Sequence, residues 1–245
     1  MPLHFLVDAA GPARTGDVVT LTGAEAHHAA AVRRVRTGEE VSVGDGRGSW
    51  LTGSVETVTP REVTVRVSAR TDAPAPRPRV VLVQALAKGD RDELAIQAAT
   101  ELGVDEIVPW QAARSVSRWD AAKAEKGRAR WASIVREAGK QAHRVWLPDV
   151  SELATTKTLA RRAGSSRVLV LDPSATERLS EIGLDPDDPA DVVLVVGPEG
   201  GIAPEELSEL GRAGARPVKL GATVLRTSTA GPAALAVVST ALGRW

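Results

Sequence analysis

Apolar and polar positions change their periodicity part-way along the chain. Within residues 1–70 the apolar positions form short β-branched or alternating runs, which are typical of strands. A helical spacing interrupts them over Thr22–Val35, where Ala29, Val32 and Val35 recur on one face. The first part is therefore predicted to be a small β-rich unit with one helix. Its predicted strands are His4–Val7, Val18–Leu21, Val41–Val43, Trp50–Val58 and Glu62–Val67.

A proline-rich segment, Thr71–Arg79, ends this first pattern. Its prolines occupy alternate positions, and since proline continues neither a strand ladder nor a helix, we expect a semi-rigid linker between two domains. From Val80 onward strands and helices alternate, which is typical of a mostly parallel sheet covered on both faces. The predicted strands are Val80–Leu86, Ile107–Trp110, Val145–Leu147, Val168–Leu171, Val192–Val196 and Val218–Leu220. The predicted helices are residues 90–102, residues 121–142, one opened by Ser151, Thr176–Ile182, one opened by Pro204, and Thr229–Leu242.

The composition narrows the class of protein. Hydrophobic residues make up 43% and charged residues 25% of the chain, as in a soluble globular protein, and no apolar run approaches the roughly 18 residues of a membrane span. The first residues lack the basic start and apolar core of a signal peptide, so we expect a cytoplasmic location. Cys is absent and the four His lack the spacing of metal ligands. We therefore expect neither a disulfide nor a metal site.

Charge is unevenly distributed, although the net charge is zero. Between Arg114 and Arg144 nine basic residues accompany three acidic ones, which fits either a solvated helix face or a patch that contacts RNA phosphates. Arg33 and Arg34 lie at the end of the predicted helix Thr22–Val35, where cations either complement the helix dipole or bind phosphate. Tyr is absent and Phe occurs once, so we do not expect an aromatic base-stacking platform.

Three predicted strands in the last third of the chain end in similar loops, at residues 171–173, 197–201 and 220–230. Because the carboxyl ends of parallel strands meet at one edge of a sheet, we expect these loops to converge on one pocket. Their glycines let the backbone approach a flat ligand. Each loop taken alone also has the composition of an ordinary glycine-rich turn before a helix. The residues by themselves indicate no more than a nucleotide-like ligand, since the phosphate-binding loop and the dinucleotide fingerprint are both absent.

Two segments of the sequence identify these loops more closely. V-V-G-P-E-G-G-I, at residues 195–202, and L-G-A-T-V-L-R-T-S-T-A, at residues 220–230, resemble the cofactor loops of the SPOUT methyltransferases. Together they are similar to the RsmE family, which methylates N3 of a uridine in small-subunit ribosomal RNA. Upstream segments that also resemble this family are residues 88–91, 99–104 and 137–144, and residues 27–34 and 44–48 are similar to its PUA-like RNA-binding domain.

This resemblance implies a fold, a cofactor and an assembly. The fold is α/β, with an N-terminal PUA-like β-barrel domain over residues 1–72 and a SPOUT domain over residues 78–245 that ends in a C-terminal trefoil knot. The cofactor is S-adenosylmethionine, and the substrate is small-subunit ribosomal RNA, free or in the assembled subunit. The enzyme is implied to be a homodimer, and the nearly all-apolar last helix fits a contact between subunits. The residues implied to bind the cofactor are Leu171, Pro173, Gly197, Pro198, Glu199, Gly200, Gly201, Ile202, Leu220, Gly221, Leu225, Thr227, Ser228 and Ala230.

The reaction itself suggests roles for two charged residues. Uridine N3 must lose a proton, so a base or a group that stabilises the anion is required. Arg226 is predicted to donate to a uracil carbonyl, and Glu199 to act as the base or to hold the cofactor. The family often has Glu at the position of Ser228 and Arg near that of His4, so the identity of the base stays open. The residues predicted to contact RNA are Arg33, Arg34, Lys88, Arg91, Arg136, Lys140 and Arg144.

Two alternatives remain open on the sequence alone. One is a non-catalytic RNA-binding factor of ribosome assembly that keeps the same fold; Ser228 favours it, whereas the intact glycines and Arg226 speak against it. The other is an α/β enzyme that uses a different nucleotide. Binding of S-adenosylmethionine separates both alternatives from the methyltransferase hypothesis.

Overall fold

The structure is a computed structural model that describes residues 2–245 and divides into two units. The first unit comprises the residues up to Ala75 together with Gly139–Leu147. The second unit comprises Pro76–Ala138 and Pro148–Trp245.

The first unit contains a five-stranded sheet. Its strands are β1 (Leu3–Leu6), β2 (Val18–Thr22), β3 (Glu40–Gly44), β4 (Ser49–Val58) and β5 (Glu62–Asp72), in the spatial order β1-β3-β4-β5-β2. β1 pairs with β3 in parallel, and the other neighbours are antiparallel. Successive side chains of a strand point to opposite faces, so Val41, Val43 and Leu51 enter a buried apolar cluster on one side of the sheet.

The predicted helix Thr22–Val35 is present but irregular. It consists of α1 (Gly23–His27), which continues directly into a π-helical turn at His28–Arg33. The chain leaves this turn through Arg34, whose φ of 55° lies in the left-handed region. Thr22 directly precedes α1, and its side chain makes no capping hydrogen bond.

The segment Gly139–Leu147 belongs to the first unit, although the predicted boundary assigns it to the second domain. Two backbone hydrogen bonds, 2.9 and 3.1 Å long, join residues 145–147 to the turn at residues 46–48. The prediction that Val145–Leu147 is a strand of the α/β sheet is therefore wrong. These residues form one isolated antiparallel bridge, between Trp146 and Arg47, because the turn offers them backbone partners.

The second unit contains a six-stranded sheet in which every neighbouring pair is parallel, so the predicted parallel sheet is confirmed. Its strands are β6 (Val80–Ala85), β7 (Glu106–Trp110), β8 (Asp149–Val150), β9 (Arg167–Leu171), β10 (Val192–Val196) and β11 (Arg216–Val218), in the order β11-β9-β10-β6-β7-β8. Both faces are covered: Val80 and Leu82 join one apolar cluster, and Val81 and Val83 join the other. This is why the strands are continuous apolar runs.

The helices of the chain from Arg91 onward are α2 (Arg91–Glu101), α3 (Ala121–Gln141), α4 (Thr156–Arg162), α5 (Pro204–Arg212) and α6 (Thr227–Ala241). Two predictions need correction. Ser151 does not open a helix, because its hydroxyl donates to Glu106, and Thr155 caps α4 through a capping box with Thr158. The helix predicted at Thr176–Ile182 is only a short 3₁₀ turn at Leu179–Glu181. None of the helices formed by residues 2–245 is both long and apolar enough to cross a membrane.

The register of the sheet brings three strand ends together. Val196, the last residue of β10, pairs with Leu171 at the end of β9, and Leu171 also pairs with Val218 at the end of β11. The loops that follow these strands consequently begin at one edge of the sheet, as predicted from the alternating pattern.

A buried histidine in β1 makes the stability of the first unit depend on pH. His4 stacks on Trp50, and its Nδ1 lies 3.1 Å from the hydroxyl of Ser42. The pKa of His4 is lowered from 6.5 to about 4, chiefly by burial and in addition by charge repulsion from His143 and Lys140. The folded chain therefore keeps this imidazole neutral where the unfolded chain protonates it.

We predict that the free energy of unfolding falls by about 2 kcal/mol between pH 7 and pH 5 through His4 alone, because the unfolded state binds the proton first. The replacement His4→Phe keeps a stacked ring and removes the titration. Urea denaturation of both proteins at the two pH values measures the difference. Equal pH dependence in the two proteins would contradict the assignment.

Candidate functional site

A cavity of about 600 Å³ opens where β9, β10 and β11 end. Its wall is formed by the three strand ends, the loops that follow them and the first turn of α6. The cavity gathers all but two of the residues predicted to bind a cofactor; Gly200 and Ser228 do not line it. The predicted residues that do are Leu171, Pro173, Gly197, Pro198, Glu199, Gly201, Ile202, Leu220, Gly221, Leu225, Thr227 and Ala230.

The loop after β10 needs glycine at two of its positions. A Cβ atom on Gly197 would lie 2.6 Å from Cγ1 of Ile202, so a larger residue would push the loop apart. Gly201 has a φ of 71°, which L-residues with side chains rarely adopt, and its N–H donates to the carbonyl of Pro198 over 2.9 Å. The loop is thereby folded back on itself at the cavity wall.

A buried hydroxyl joins this loop to two other elements. The Oγ1 of Thr227, in the first turn of α6, donates to the carbonyl of Gly197 over 2.9 Å. The same oxygen accepts a 2.8 Å hydrogen bond from Nε2 of Gln84, which is fully buried on β6. The sequence prediction missed Gln84. The sequence does contain a signal for it, because Gln84 is a polar residue inside an apolar strand that is covered on both faces.

Glu199 is held by the turn between β6 and α2. Its Oε1 accepts a 3.0 Å hydrogen bond from the backbone N–H of Lys88 and another of 3.0 Å from Nη1 of Arg91. Partial burial alone raises the pKa of Glu199, but the hydrogen bonds from backbone N–H groups and from Arg91 outweigh it and lower the pKa below its usual value. Glu199 is thus a stable anion that links two loops, which makes it a weak proton acceptor.

Arg226 is an exposed cation at the cavity wall. Its backbone begins α6, where its carbonyl accepts hydrogen bonds from Thr229 and Ala230, of 2.8 and 2.9 Å. Within residues 2–245 the guanidinium has no hydrogen bond or ion pair, so all its donors are available to a ligand. Its backbone is therefore fixed by the helix while its side chain is free.

Further residues in or beside the cavity are not among those predicted to bind the cofactor. Arg114 donates to the carbonyl of Gly200 over 3.2 Å and so contacts the loop after β10 from outside the cavity. Polar side chains of the wall include Asp172, whose Oδ1 accepts hydrogen bonds from the N–H and hydroxyl of Ser174, both 2.8 Å. The remaining wall residues outside the predicted cofactor-binding set are Val196, Leu207, Val218, Lys219, Thr223 and Val224.

The residues predicted to contact RNA fall into two groups. Arg33, Arg34 and Lys88 are exposed and available. Lys140 is corrected: only 8% of its side chain is exposed, and its Nζ pairs with Glu25 over 3.0 Å, so it does not present its charge to a phosphate. Arg91 is half exposed and already paired with Glu199, and Arg136 and Arg144 are half-buried.

No group of His, Cys, Asp or Glu in the described part of the chain is arranged to hold a metal ion.

Two family models match this chain. Residues 74–239 match the RNA methyltransferase domain, and residues 21–68 match the RNA methyltransferase PUA domain. A relative from Mycobacterium tuberculosis, the ribosomal RNA small subunit methyltransferase E, is 46% identical over 236 residues, which cover 94% of this chain and 89% of the relative. The chain belongs to the RsmE family of RNA methyltransferases.

Solved structures of similar proteins match nearly the whole of this chain. A methyltransferase structure from Legionella pneumophila, in complex with S-adenosylmethionine, is 29% identical, covers 98% of both chains and has a TM-score of 0.87. The ribosomal RNA small subunit methyltransferase E of Neisseria gonorrhoeae, bound to S-adenosylmethionine, is 27% identical over 98% of both chains with a TM-score of 0.85. The α/β unit and the PUA domain of this chain thus have the fold of the RsmE family.

We predict that Glu199→Ala loosens the loop after β10, because it removes both hydrogen bonds to the turn between β6 and α2. Each bond to a carboxylate stabilises by about 1.5–3 kcal/mol, so amide hydrogen exchange in residues 197–202 should accelerate by at least about tenfold. Mass spectrometry of peptides from the exchanged protein measures the rate.

The matched control is Glu205→Ala, which removes an exposed carboxylate from the first turn of the neighbouring helix α5. Its exchange in residues 197–202 should equal that of the unaltered chain. If Glu199→Ala also leaves this exchange unchanged, Glu199 does not hold the loop.

Proposed function

We propose that this chain transfers a methyl group from S-adenosylmethionine to N3 of a uridine in small-subunit ribosomal RNA. The observation that carries the proposal is the cavity at three parallel strand ends, in a chain 46% identical to a ribosomal RNA small subunit methyltransferase E. The relatives' names indicate that the substrate is small-subunit ribosomal RNA. The resemblance of residues 195–202 and 220–230 to the RsmE cofactor loops indicates that the methylated atom is uridine N3.

The residues of the cavity fit S-adenosylmethionine. A volume of about 600 Å³ lies in the range of small-molecule sites, about 300–1,000 Å³. Apolar side chains such as Leu171 and Ile202 suit a flat adenine, and polar backbone lies at Gly197 and Gly221. A Cβ on Gly221 would contact nothing within 4 Å, so the backbone there is open to a ligand. When bound, the cofactor supplies an electrophilic methyl group on its sulfonium.

Arg226 is the residue to which we assign the chemical step. Uridine N3 must lose its proton, for which the surrounding water is the acceptor once Glu199 is excluded, and the negative charge then spreads onto the two neighbouring carbonyl oxygens. A guanidinium with no competing partner can donate to such an oxygen and stabilise the negative charge as it develops. Glu199 is assigned to holding the loop rather than to accepting the proton, because its pKa is lowered and Arg91 pairs with it. Ser228 does not line the cavity. Besides Glu199, the described cavity wall contains one further carboxylate, that of Asp172.

RNA contacts are assigned to Arg33, Arg34 and Lys88, which are exposed cations. Phosphate contacts of this kind supply affinity for RNA of any sequence. The half-buried residues Arg136 and Arg144 are assigned a secondary role.

The trefoil knot and the homodimer remain part of the proposal. Support for the knot comes from the strand order β11-β9-β10-β6 and from α6, which packs on β10, on β6 and on the 3₁₀ turn after β9. Support for the dimer comes from apolar surface beside the cavity: Val224 is 77% exposed, Leu225 is 36% exposed, and Val237 of α6 is only partly buried. Exposed apolar groups of this kind favour a subunit contact.

The rival function is that of a non-catalytic RNA-binding assembly factor. It would need neither an open cavity at the strand ends nor an unpaired guanidinium on its wall. Both features favour the enzyme.

We predict that Arg226→Ala lowers the rate of methylation of small ribosomal subunits by at least about a hundredfold, because the developing charge loses its donor. Binding of S-adenosylhomocysteine, measured by calorimetry, should change less than about threefold, since the loop and the hydrogen bonds of Thr227 do not involve this side chain.

Arg212→Ala on α5 is the control, because it removes the same charge from an exposed position outside the cavity. It should methylate at the unaltered rate. Full methylation by Arg226→Ala would exclude the assigned role.

A further inference from the structure

The first unit contains a second cavity, of about 460 Å³, on the sheet face opposite its apolar core. Because side chains alternate along a strand, the core residues Val41 and Leu51 leave Ser42, Trp50 and Thr52 on the other face. Ser42 and Thr52 are directly paired between β3 and β4. The ladder therefore holds this part of the cavity wall in a fixed register.

A ring stack fixes the indole of Trp50 at the cavity wall. The imidazole of His4 lies almost parallel to it, with ring centroids 4.1 Å apart and an angle of 10° between the planes. Gly44 pairs with Trp50 across the ladder and makes room for this stack, since a Cβ there would lie 3.1 Å from Cε1 of His4. The indole is thus ordered before any ligand arrives, which reduces the entropy lost on binding.

His143 adds a second ring to the wall from an unusual backbone position. It follows α3 with a φ of 53°, in the left-handed region that favours glycine at the end of a helix. Its N–H donates to the carbonyl of Lys140 over 3.1 Å, and its ring centroid lies 6.1 Å from that of Trp50. The residue in this backbone position carries a side chain, and that side chain lines the cavity.

The polar groups of the wall select a ligand that donates hydrogen bonds. Glu40, Thr52 and Thr71 contribute a carboxylate and two hydroxyls, and neither Lys nor Arg is among the described residues that line the cavity. A phosphate would meet the carboxylate of Glu40 there and no Lys or Arg side chain among the described residues. A guanine base fits better, because N1–H and the 2-amino group are adjacent donors for one carboxylate, whereas uracil offers a single donor between two acceptors.

We propose that this cavity binds one unstacked guanine base of the RNA. The proposal rests on the proposed function in so far as RNA is the substrate. Sequence-specific RNA recognition commonly uses a base that is turned out of its stack and placed against an aromatic ring. The low content of Phe and Tyr argued against such a platform, but Trp50 and His143 supply the rings instead. Phosphate contacts at Arg33 and Arg34 carry no sequence information, so this site would give the first unit its base preference.

The test compares two single-stranded hexamers, one of uridine only and one with a central guanosine, by fluorescence anisotropy. The unaltered chain should prefer the guanosine hexamer. Trp50→Ala should weaken its binding about tenfold, and Glu40→Gln should abolish the preference while leaving the uridine hexamer unaffected. The salt dependence of binding should stay the same in both variants, because no phosphate contact is lost.

Trp245→Ala is the matched control, since Trp245 is a 62% exposed tryptophan in the other unit. It should bind like the unaltered chain. Equal affinity of the unaltered chain for both hexamers would overturn the proposal, and so would a guanosine preference that Glu40→Gln retains. Because Glu40 is exposed, this second variant is not compromised by misfolding. Displacement by an equal concentration of guanosine monophosphate would assign the cavity to a free nucleotide and likewise overturn it. Binding of S-adenosylhomocysteine is measured in parallel by calorimetry. Absence of this binding would count against the proposed function, whereas the hexamer preference alone decides the base site.

Discussion

The hydroxyl of Thr227 is the contact on which the candidate site depends. It accepts from Gln84, 143 residues away in sequence, and donates to the carbonyl of Gly197, 30 residues away. One buried oxygen therefore joins the central strand β6, the loop after β10 and the start of α6. Buried polar groups are costly unless they are paired, so the network favours one arrangement of these three elements over looser ones. That arrangement also fixes where Arg226 leaves the helix.

Much of the second unit could be predicted from the sequence because its signals are local. Runs such as Val192–Val196 are apolar at every position, which indicates strands covered on both faces, and their alternation with helices indicates a parallel sheet. From there, the convergence of three loops follows from geometry alone. The identity of the ligand did not follow from periodicity; it required the resemblance of residues 195–202 and 220–230 to known cofactor loops.

The failures share a different cause, which is the choice of long-range partner. Val145–Leu147 has the composition of a strand, yet it pairs with the turn at residues 46–48 rather than with the α/β sheet. Lys140 has the appearance of an RNA contact, yet Glu25, 115 residues away, buries it in an ion pair. Glu199 is predicted to act as the base or to hold the cofactor, and the local sequence does not show that Arg91 and the backbone N–H of Lys88 bind its carboxylate. Local sequence records the character of a side chain but not which distant group will meet it.

The most direct test of the central claim is the site of methylation itself. Small ribosomal subunits that lack the modification are incubated with the purified chain and S-adenosylmethionine carrying a labelled methyl group, and the RNA is digested to nucleosides for mass spectrometry. We predict that the label appears in 3-methyluridine, at a single position of the small-subunit RNA. Label in a different nucleoside, or no label despite measured binding of S-adenosylhomocysteine, would contradict it.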